Sequence, residues 1–303
     1  MLGADETRSQ GKPMGILRAS SLLLVLSMSL PVAHAAESYD NCTGFIDTIP
    51  ATIGTQGVWC LRKDLSTSIS SGAAITVATN NVTIDCNDFK LGGLSAGAAT
   101  DASGIRSTGR SNVAVKHCNV RGFRYGAYLD GLGGGHVLEG NRFSDNTDVG
   151  VIVEGEGSVV RDNLIFRTGG STLGNGATGI LAKAGVDVID NTVSGLLPLA
   201  RENGYGGAVG IFASLNAGGS ILGNRVRGLS PVTGSAIGIM LDQSGRMVVR
   251  DNDLAGNGYG PPFSVGISCN SDQYQATSRG NVISGFDYPT TYCFSERDTI
   301  NSD

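Results

Sequence analysis

GILAKAGVDVIDNTV, residues 179–193, is the stretch whose reading decides the fold. It opens on Gly179-Ile180, alternates through a short apolar stretch, turns, alternates again through Val186 and Val188, and closes on Asn191-x-Val193. The same phrase recurs at Gly104-Ile105, Gly126-Ala127, Gly150-Val151, Gly210-Ile211, Gly238-Ile239 and Gly266-Ile267. Each glycine is followed 12 to 15 residues later by a marker: Cys118, Asn141, Asn163, Asn191, Asn224, Asn252 and Asn281. Two residues beyond each marker stands an apolar side chain: Val120, Phe143, Ile165, Val193, Val226, Leu254 and Ile283. Self-similarity of this kind signals a repeat architecture. Alternation with period two makes its pieces strands, and no helical periodicity lies between them, which excludes a βαβ fold.

The glycine-to-glycine distances are 22, 24, 29, 31, 28 and 28 residues. Almost all the variation lies between a marker and the next glycine, where the gaps are 8, 9, 16, 19, 14 and 14. Insertions confined to one corner place the long loops on one side of a stack, where binding sites usually lie. A single unit buries too little to be stable. Stacked at ~4.8 Å per rung, the units enclose a continuous apolar column. The marker asparagines then form a ladder inside one turn, bonding to each other and to turn backbone.

The Gly-Ile and Asn-x-Val/Ile beats, over about residues 72–285, resemble those of the right-handed parallel β-helix repeat proteins, the superfamily with the pectate-lyase architecture. The resemblance implies an all-β fold, a right-handed parallel β-helix that forms a solenoid of about eight coils with an N-terminal cap. The superfamily includes polysaccharide lyases, glycoside hydrolases, uronate epimerases and non-catalytic surface proteins, so the resemblance implies a polysaccharide or cell-surface glycan partner and no single reaction. The expected divisions are a signal peptide over 1–35, a cap over 36–71, the β-helix over 72–285 and a C-terminal cap or tail over 286–303.

Residues 16–33 form a short apolar run after Arg18, containing Leu22-Leu23-Leu24-Val25-Leu26, and Ala33-His34-Ala35 supplies an A-x-A site. This reads as a signal peptide cleaved after Ala35, with Met14 as a plausible start, and the protein is expected to be exported, periplasmic or secreted. Pro31 interrupts the run and no other stretch reaches the ~20 residues of a membrane span, so no transmembrane anchor is expected in the mature chain. Removing residues 1–35 leaves 19 Lys+Arg and 25 Asp+Glu. An acidic chain without a basic footprint argues against nucleic acid. It argues more weakly against polyanions, which a local basic patch could still bind. All six cysteines lie in the exported part, where an even number implies disulfides. Sequence position suggests Cys42 with Cys60, Cys86 with Cys118 and Cys269 with Cys293, one of fifteen sets. The only Trp, Trp59, is expected to pack on the apolar end of the stack.

Alternation after each Gly-Ile pair turns two columns outward. The first is Arg106, Tyr128, Ile152, Leu181, Phe212, Met240 and Ser268. Its apolar middle is expected to lie under a loop. The second is Thr108, Asp130, Glu154, Lys183, Ser214, Asp242 and Asn270. Asp130, Glu154 and Lys183 on consecutive rungs are the candidate catalytic residues. Two carboxylates about 5 Å apart suit a retaining glycosidase, and the lysine could tune one or hold a uronate. The alternative is an exposed charge ladder of little energetic weight. Tyr128, with Arg201 and Tyr205 from the longest loop, are the candidate substrate-binding residues. On the second strand the outward row Lys116, Glu139, Arg161, Ile189, Leu222, Arg250, Arg279 reads as a solvated face of mixed charge.

Asn146-Thr147-Asp148 is similar to a polygalacturonase motif, but no Asp-Asp pair, Gly-His-Gly or Arg-x-Lys follows it, and a turn role fits better. His117 and His136 have no triad partners at recognisable spacing. No cofactor is expected. Ca²⁺ is the one ion for which Asp187, Asp190, Asp251 and Asp253 offer oxygen ligands near turns. Two functional readings stay open: an exported enzyme that cleaves or modifies a polysaccharide, and a non-catalytic surface or periplasmic binding protein.

Overall fold

The computed structural model describes residues 39–131, 133–174, 176–200, 206–215, 218–258, 263–269, 276–296 and 298–301. Residues 1–35, expected to be a signal peptide, and the loop residues Arg201 and Tyr205 lie outside these. Among the described residues every strand pairing is parallel, and the chain winds through three sheets in fixed rotation. The first sheet has ten strands, from Ala51–Ile53 to Tyr288–Thr291, and eight of them fall within residues 72–285. The second runs from Gly44–Ile46 to Phe294–Glu296, and the third from Leu65–Ser66 to Thr299–Asn301. Strands from residues 44–66 and from 288–301 join all three sheets, so both segments read as caps wind on the same axis as the repeat. No described helix is long and apolar enough to cross a membrane.

The core follows from the beat. Ile105, Val151, Ile180, Ile211, Ile239 and Ile267 of the first sheet are fully buried, as are Val115, Leu138, Val160, Val188 and Ile221 of the second. Val120, Phe143, Ile165, Val193, Val226 and Leu254 close the column from the third. Burial of each such side chain is worth roughly 1.5–3 kcal/mol, and stacking supplies it once per sheet per rung. Trp59 packs partly buried against this core, its Nε1 donating to the Thr55 carbonyl at 3.1 Å.

The recurrent glycine is required by close approach. A Cβ on Gly179 would lie 2.4 Å from Val193 Cγ1 and 2.5 Å from the Gly210 carbonyl oxygen, and Gly210 meets Val226 and Gly238 in the same way. The Asn markers form the expected ladder at the corner between the second and third sheets. Oδ1 of Asn163 accepts both the backbone N–H and the Nδ2 of Asn141, and the arrangement repeats through Asn191, Asn224, Asn252 and Asn281. The Cys118 N–H begins the series at Asn141 Oδ1, 2.9 Å away, and Asp298 Oδ1 ends it by accepting two bonds from Asn281. The residue before each marker, His117, Gly140, Asp162, Asp190, Gly223, Asp251 or Gly280, takes a φ between 47° and 67°. That left-handed step lets the chain turn between sheets and explains the Asp/Gly preference there. The disulfides join Cys42–Cys60, Cys86–Cys118 and Cys269–Cys293, the pairing expected.

Candidate functional site

Strand register sets the outward columns. Arg106, Tyr128, Ile152, Leu181, Phe212, Met240 and Ser268 pair in sequence, as do Glu154, Lys183, Ser214 and Asp242, with Asp130 opposite Thr108 one rung earlier. The column between them, Ser107, Leu129, Val153, Ala182, Ala213, Leu241 and Cys269, is at most 3% exposed. Asp130, Glu154 and Lys183 therefore occupy one outward line on three consecutive rungs, each at the last position of its strand.

That position decides which edge they share. The long insertions lie between the third and first sheets and so enter at the start of each first-sheet strand. The candidate triad stands at the other end, beside the short turns into the second sheet. There Glu154, alone of the three, lines a cleft of about 490 Å³, together with Glu156, Leu215 and the small turn residues Gly131, Gly133, Gly155, Ala184 and Gly185. The cleft exists because those turns carry almost no side chain. Gly155 has a φ of 129°, and a Cβ on it would lie 2.2 Å from the Gly133 carbonyl oxygen.

The chemistry on this face is graded. Tyr125 and Tyr128 form an aromatic shelf, ring centroids 5.3 Å apart, with Arg106 over Tyr128 at 5.1 Å and Arg124 over Tyr125 at 4.9 Å. Arg124 is held by Asp101 at 2.6 Å and Asp148 at 2.9 Å. Burial opposes its charge, but those two hydrogen bonds outweigh it and raise its pKa. Burial, then the adjacent Asp130 carboxylate, lift the Tyr128 hydroxyl above the usual tyrosine range, against the pull of Arg106. Tyr125 is likewise raised, by burial first. Both phenols thus stay protonated as hydrogen-bond donors. Asp130 Oδ1 is sealed from solvent and accepts no hydrogen bond from the described residues. No ion pair joins Glu154 to Lys183 within 4.0 Å among the described residues.

Of the sequence candidates, the structure brings together Asp130, Glu154, Lys183 and Tyr128; Arg201 and Tyr205 lie outside the described residues. The apolar stripe is only partly covered: Ile152 is buried, while Leu181, Phe212 and Met240 remain half-exposed. The insertion after Phe166 turns back along the corner, where Ser171 N–H donates to Thr147 O at 2.7 Å and Thr172 N–H to Ala98 O at 3.0 Å. Glu156 and Tyr125 were not singled out from sequence. Strict alternation back from Ala127 would turn Tyr125 inward, but Gly126 and Ala127 are both buried and the broken phase leaves Tyr125 partly exposed; Glu156 sits in a turn that periodicity does not reach. The remaining candidates have structural partners. Asn146 accepts from Phe123 N–H at 3.1 Å. Asp187 takes the Ser220 N–H and hydroxyl, and Asp253 pairs with Arg225 and Arg227. Among the described residues no three His, Cys, Asp or Glu side chains converge to hold a metal ion.

A family model described as right-handed beta helix region matches residues 63–209. No curated protein matches the sequence. Among solved structures, the tailspike of E. coli bacteriophage HK620, in complex with a pentasaccharide, is similar at 9% identity and a TM-score of 0.53, with 86% of this chain and 57% of that chain covered. The ORF18 protein of Geobacillus virus E2 is similar at 10% identity and a TM-score of 0.50, covering 83% and 50%. The chain thus spans little more than half the length of these proteins, and at such identities the likeness is one of fold. The catalytic unit of a GH87 alpha-1,3-glucanase from Streptomyces thermodiastaticus is also similar, at 12% identity and a TM-score of 0.48 over 85% and 58%. The three-sheet parallel winding, the stacked glycine and asparagine columns and the family match over residues 63–209 agree: the chain is a right-handed parallel β-helix.

Proposed function

We propose that this is an exported protein that binds a polysaccharide along the outer face of the first sheet and processes it at the Asp130–Glu154–Lys183 line. The observation that carries the reading is the junction of three features on neighbouring rungs: a protonated tyrosine shelf, the Asp130 carboxylate beside Tyr128, and a cleft walled by Glu154 and Glu156. Aromatic rings suit sugar rings, and the carboxylates that wall the cleft suit their hydroxyls. In this reading Glu154 and Asp130 are the acid pair, at the ~5 Å rung spacing of a retaining mechanism, and Lys183 on the next rung is free to meet a uronate carboxylate. The oligosaccharide bound by the similar tailspike supports the choice of ligand class, and the three disulfides support export.

A second reading is a glycan-binding protein without turnover. It is favoured by one observation: among the described residues neither Glu154 nor Lys183 is held by an ion pair, whereas catalytic carboxylates are oriented by a supporting shell. The two readings separate on a glycan panel assayed for reducing ends and for unsaturated products. Release that disappears in Glu154→Gln, with oligosaccharide binding retained, supports the enzyme. Binding without release supports the second reading, and release that survives Glu154→Gln removes the site assignment.

A further inference from the structure

Charge is unevenly divided among the three faces of this acidic chain. The strands of the first sheet carry two basic and three acidic residues, and those of the second carry four of each. The strands of the third carry Lys90, Arg121, Arg142, Arg225 and Arg227 against Asp253 alone. Arg167, immediately after strand Leu164–Phe166, adds a sixth cation to this face.

Three nearby acids offset only part of it, and Lys90 alone has a carboxylate to itself, Asp64 at 3.0 Å. Asp145 is shared by Arg121 at 3.0 Å and Arg167 at 2.7 Å, and Asp253 by Arg225 at 3.4 Å and Arg227 at 2.8 Å. Each of these two carboxylates thus serves two guanidinium groups. Arg142 has no carboxylate partner among the described residues and lies over the Phe166 ring, 4.4 Å from its centroid, with Arg167 also over that ring at 4.7 Å. Stacking and shared bonds hold these groups in place while their side chains stay open to solvent, 57% for Arg167, 58% for Arg225 and 46% for Arg227. Pre-ordered guanidinium groups lose little freedom on meeting an anion.

We propose that the outer face of the third sheet is a second binding surface, for an anionic polysaccharide lying along the helix axis. Charge density selects this partner. Rungs stand ~4.8 Å apart, so the face offers about one cation per rung. A sugar polymer with one carboxylate or sulfate per unit has a comparable spacing. Duplex DNA carries a charge every ~1.7 Å and calls for a denser basic footprint than this chain has. An anionic membrane is usually gripped by basic residues flanking inserted apolar ones, and the third-sheet strands from Lys90 to Arg227 carry no exposed large apolar residue: those on this sheet's strands, Val282 and Ile300, lie beyond them toward the C-terminal end. The inference does not rest on the reading of the first sheet.

The test uses the whole mature chain in affinity electrophoresis with carboxymethylcellulose, and with neutral hydroxyethylcellulose as control. Phosphatidylglycerol vesicles and duplex DNA are assayed in parallel. Retardation is expected with the carboxymethyl polymer only, to weaken steeply with added salt, and to fall at least tenfold in Arg142→Gln/Arg225→Gln/Arg227→Gln. Thr192→Glu/Ser194→Glu, which places acids on the rung between Arg167 and Arg225, is expected to give the same loss without removing any existing contact. Glu154→Gln is expected to leave the retardation unchanged, which separates this face from the first-sheet site. Equal retardation by the neutral polymer, preferential binding to vesicles or DNA, or undiminished binding by both variants would each overturn the proposal.

Discussion

Asn163 gives its backbone N–H and its side-chain Nδ2 to one oxygen, Oδ1 of Asn191, at 3.0 Å each. Asn191 in turn donates through Nδ2 to the Val160 carbonyl at 2.8 Å and to Asn224. Asn191→Ala therefore takes the acceptor from the buried Asn163 N–H and a donor from the Val160 carbonyl, while Asn163 Nδ2 keeps the carbonyls of Leu138 and Arg161. At roughly 1–3 kcal/mol per buried orphan, the loss is expected to be about 3 kcal/mol or more. Urea denaturation reads it as a lower midpoint with an unchanged slope; a loss under ~1 kcal/mol would make the ladder incidental to stability.

Gly210→Ala is expected to cost about 1–3 kcal/mol, the range for overpacking a tight core. Its Cβ would meet Val226 Cγ1 at 2.4 Å and the Gly238 carbonyl oxygen at 2.5 Å, and the latter is backbone that cannot rotate away. Gly54→Ala is the matched control, since nothing lies within 4 Å of its Cβ. Thermal melts of the two variants side by side decide whether the beat glycine is required by space.

The Cys86–Cys118 bridge spans 32 residues of sequence and sits at the corner where the ladder begins. On the loop-entropy model its removal costs about 3.5 kcal/mol. Cys86→Ser/Cys118→Ser is expected to melt well below the parent. If the two proteins instead melt together under non-reducing conditions, the stack alone holds this end.

His136 is fully buried, its Nδ1 accepting from Val113 N–H at 3.3 Å while Nε2 has no partner among the described residues. Burial lowers its pKa, against a smaller upward pull from the Val113 bond. A histidine depressed in the folded state is neutral there while the unfolded chain titrates near 6.5. Its contribution is complete above that pH and is lost as pH falls below it toward the folded pKa. Denaturation midpoints of the parent are expected to decline from pH 7 to pH 5 more steeply than those of His136→Gln. Parallel declines would assign the acid sensitivity elsewhere.

The fold was legible because its period is imposed by packing. Gly179 and Gly210 recur where one coil touches the next, Asn163 and Asn191 recur where turns must satisfy buried backbone, and both constraints repeat once per rung. The outward columns followed from simple alternation, so Asp130, Glu154 and Lys183 fell on one line as expected. What alternation does not encode is how turns pack against one another. The cleft is made by four successive turns, represented by Gly133, Glu156, Gly185 and Leu215, and nothing in their spacing marks them as neighbours. The arginine face escaped notice for a related reason: strands such as Asn119–Arg121 and Arg142–Ser144 are three residues long, too short to show a period of their own. The outward order of Arg121, Arg142 and Arg227 emerges only when coils are laid side by side.

The asparagine series also has a direction, from an N–H at Cys118 to a carboxylate at Asp298. Any interior member both gives and receives in the same geometry, so a duplicated segment such as 224–251 presents the junctions its neighbours already accept. Growth of this molecule by whole windings is thus neutral to both termini. A deletion of half a winding would leave one amide facing the wrong sheet.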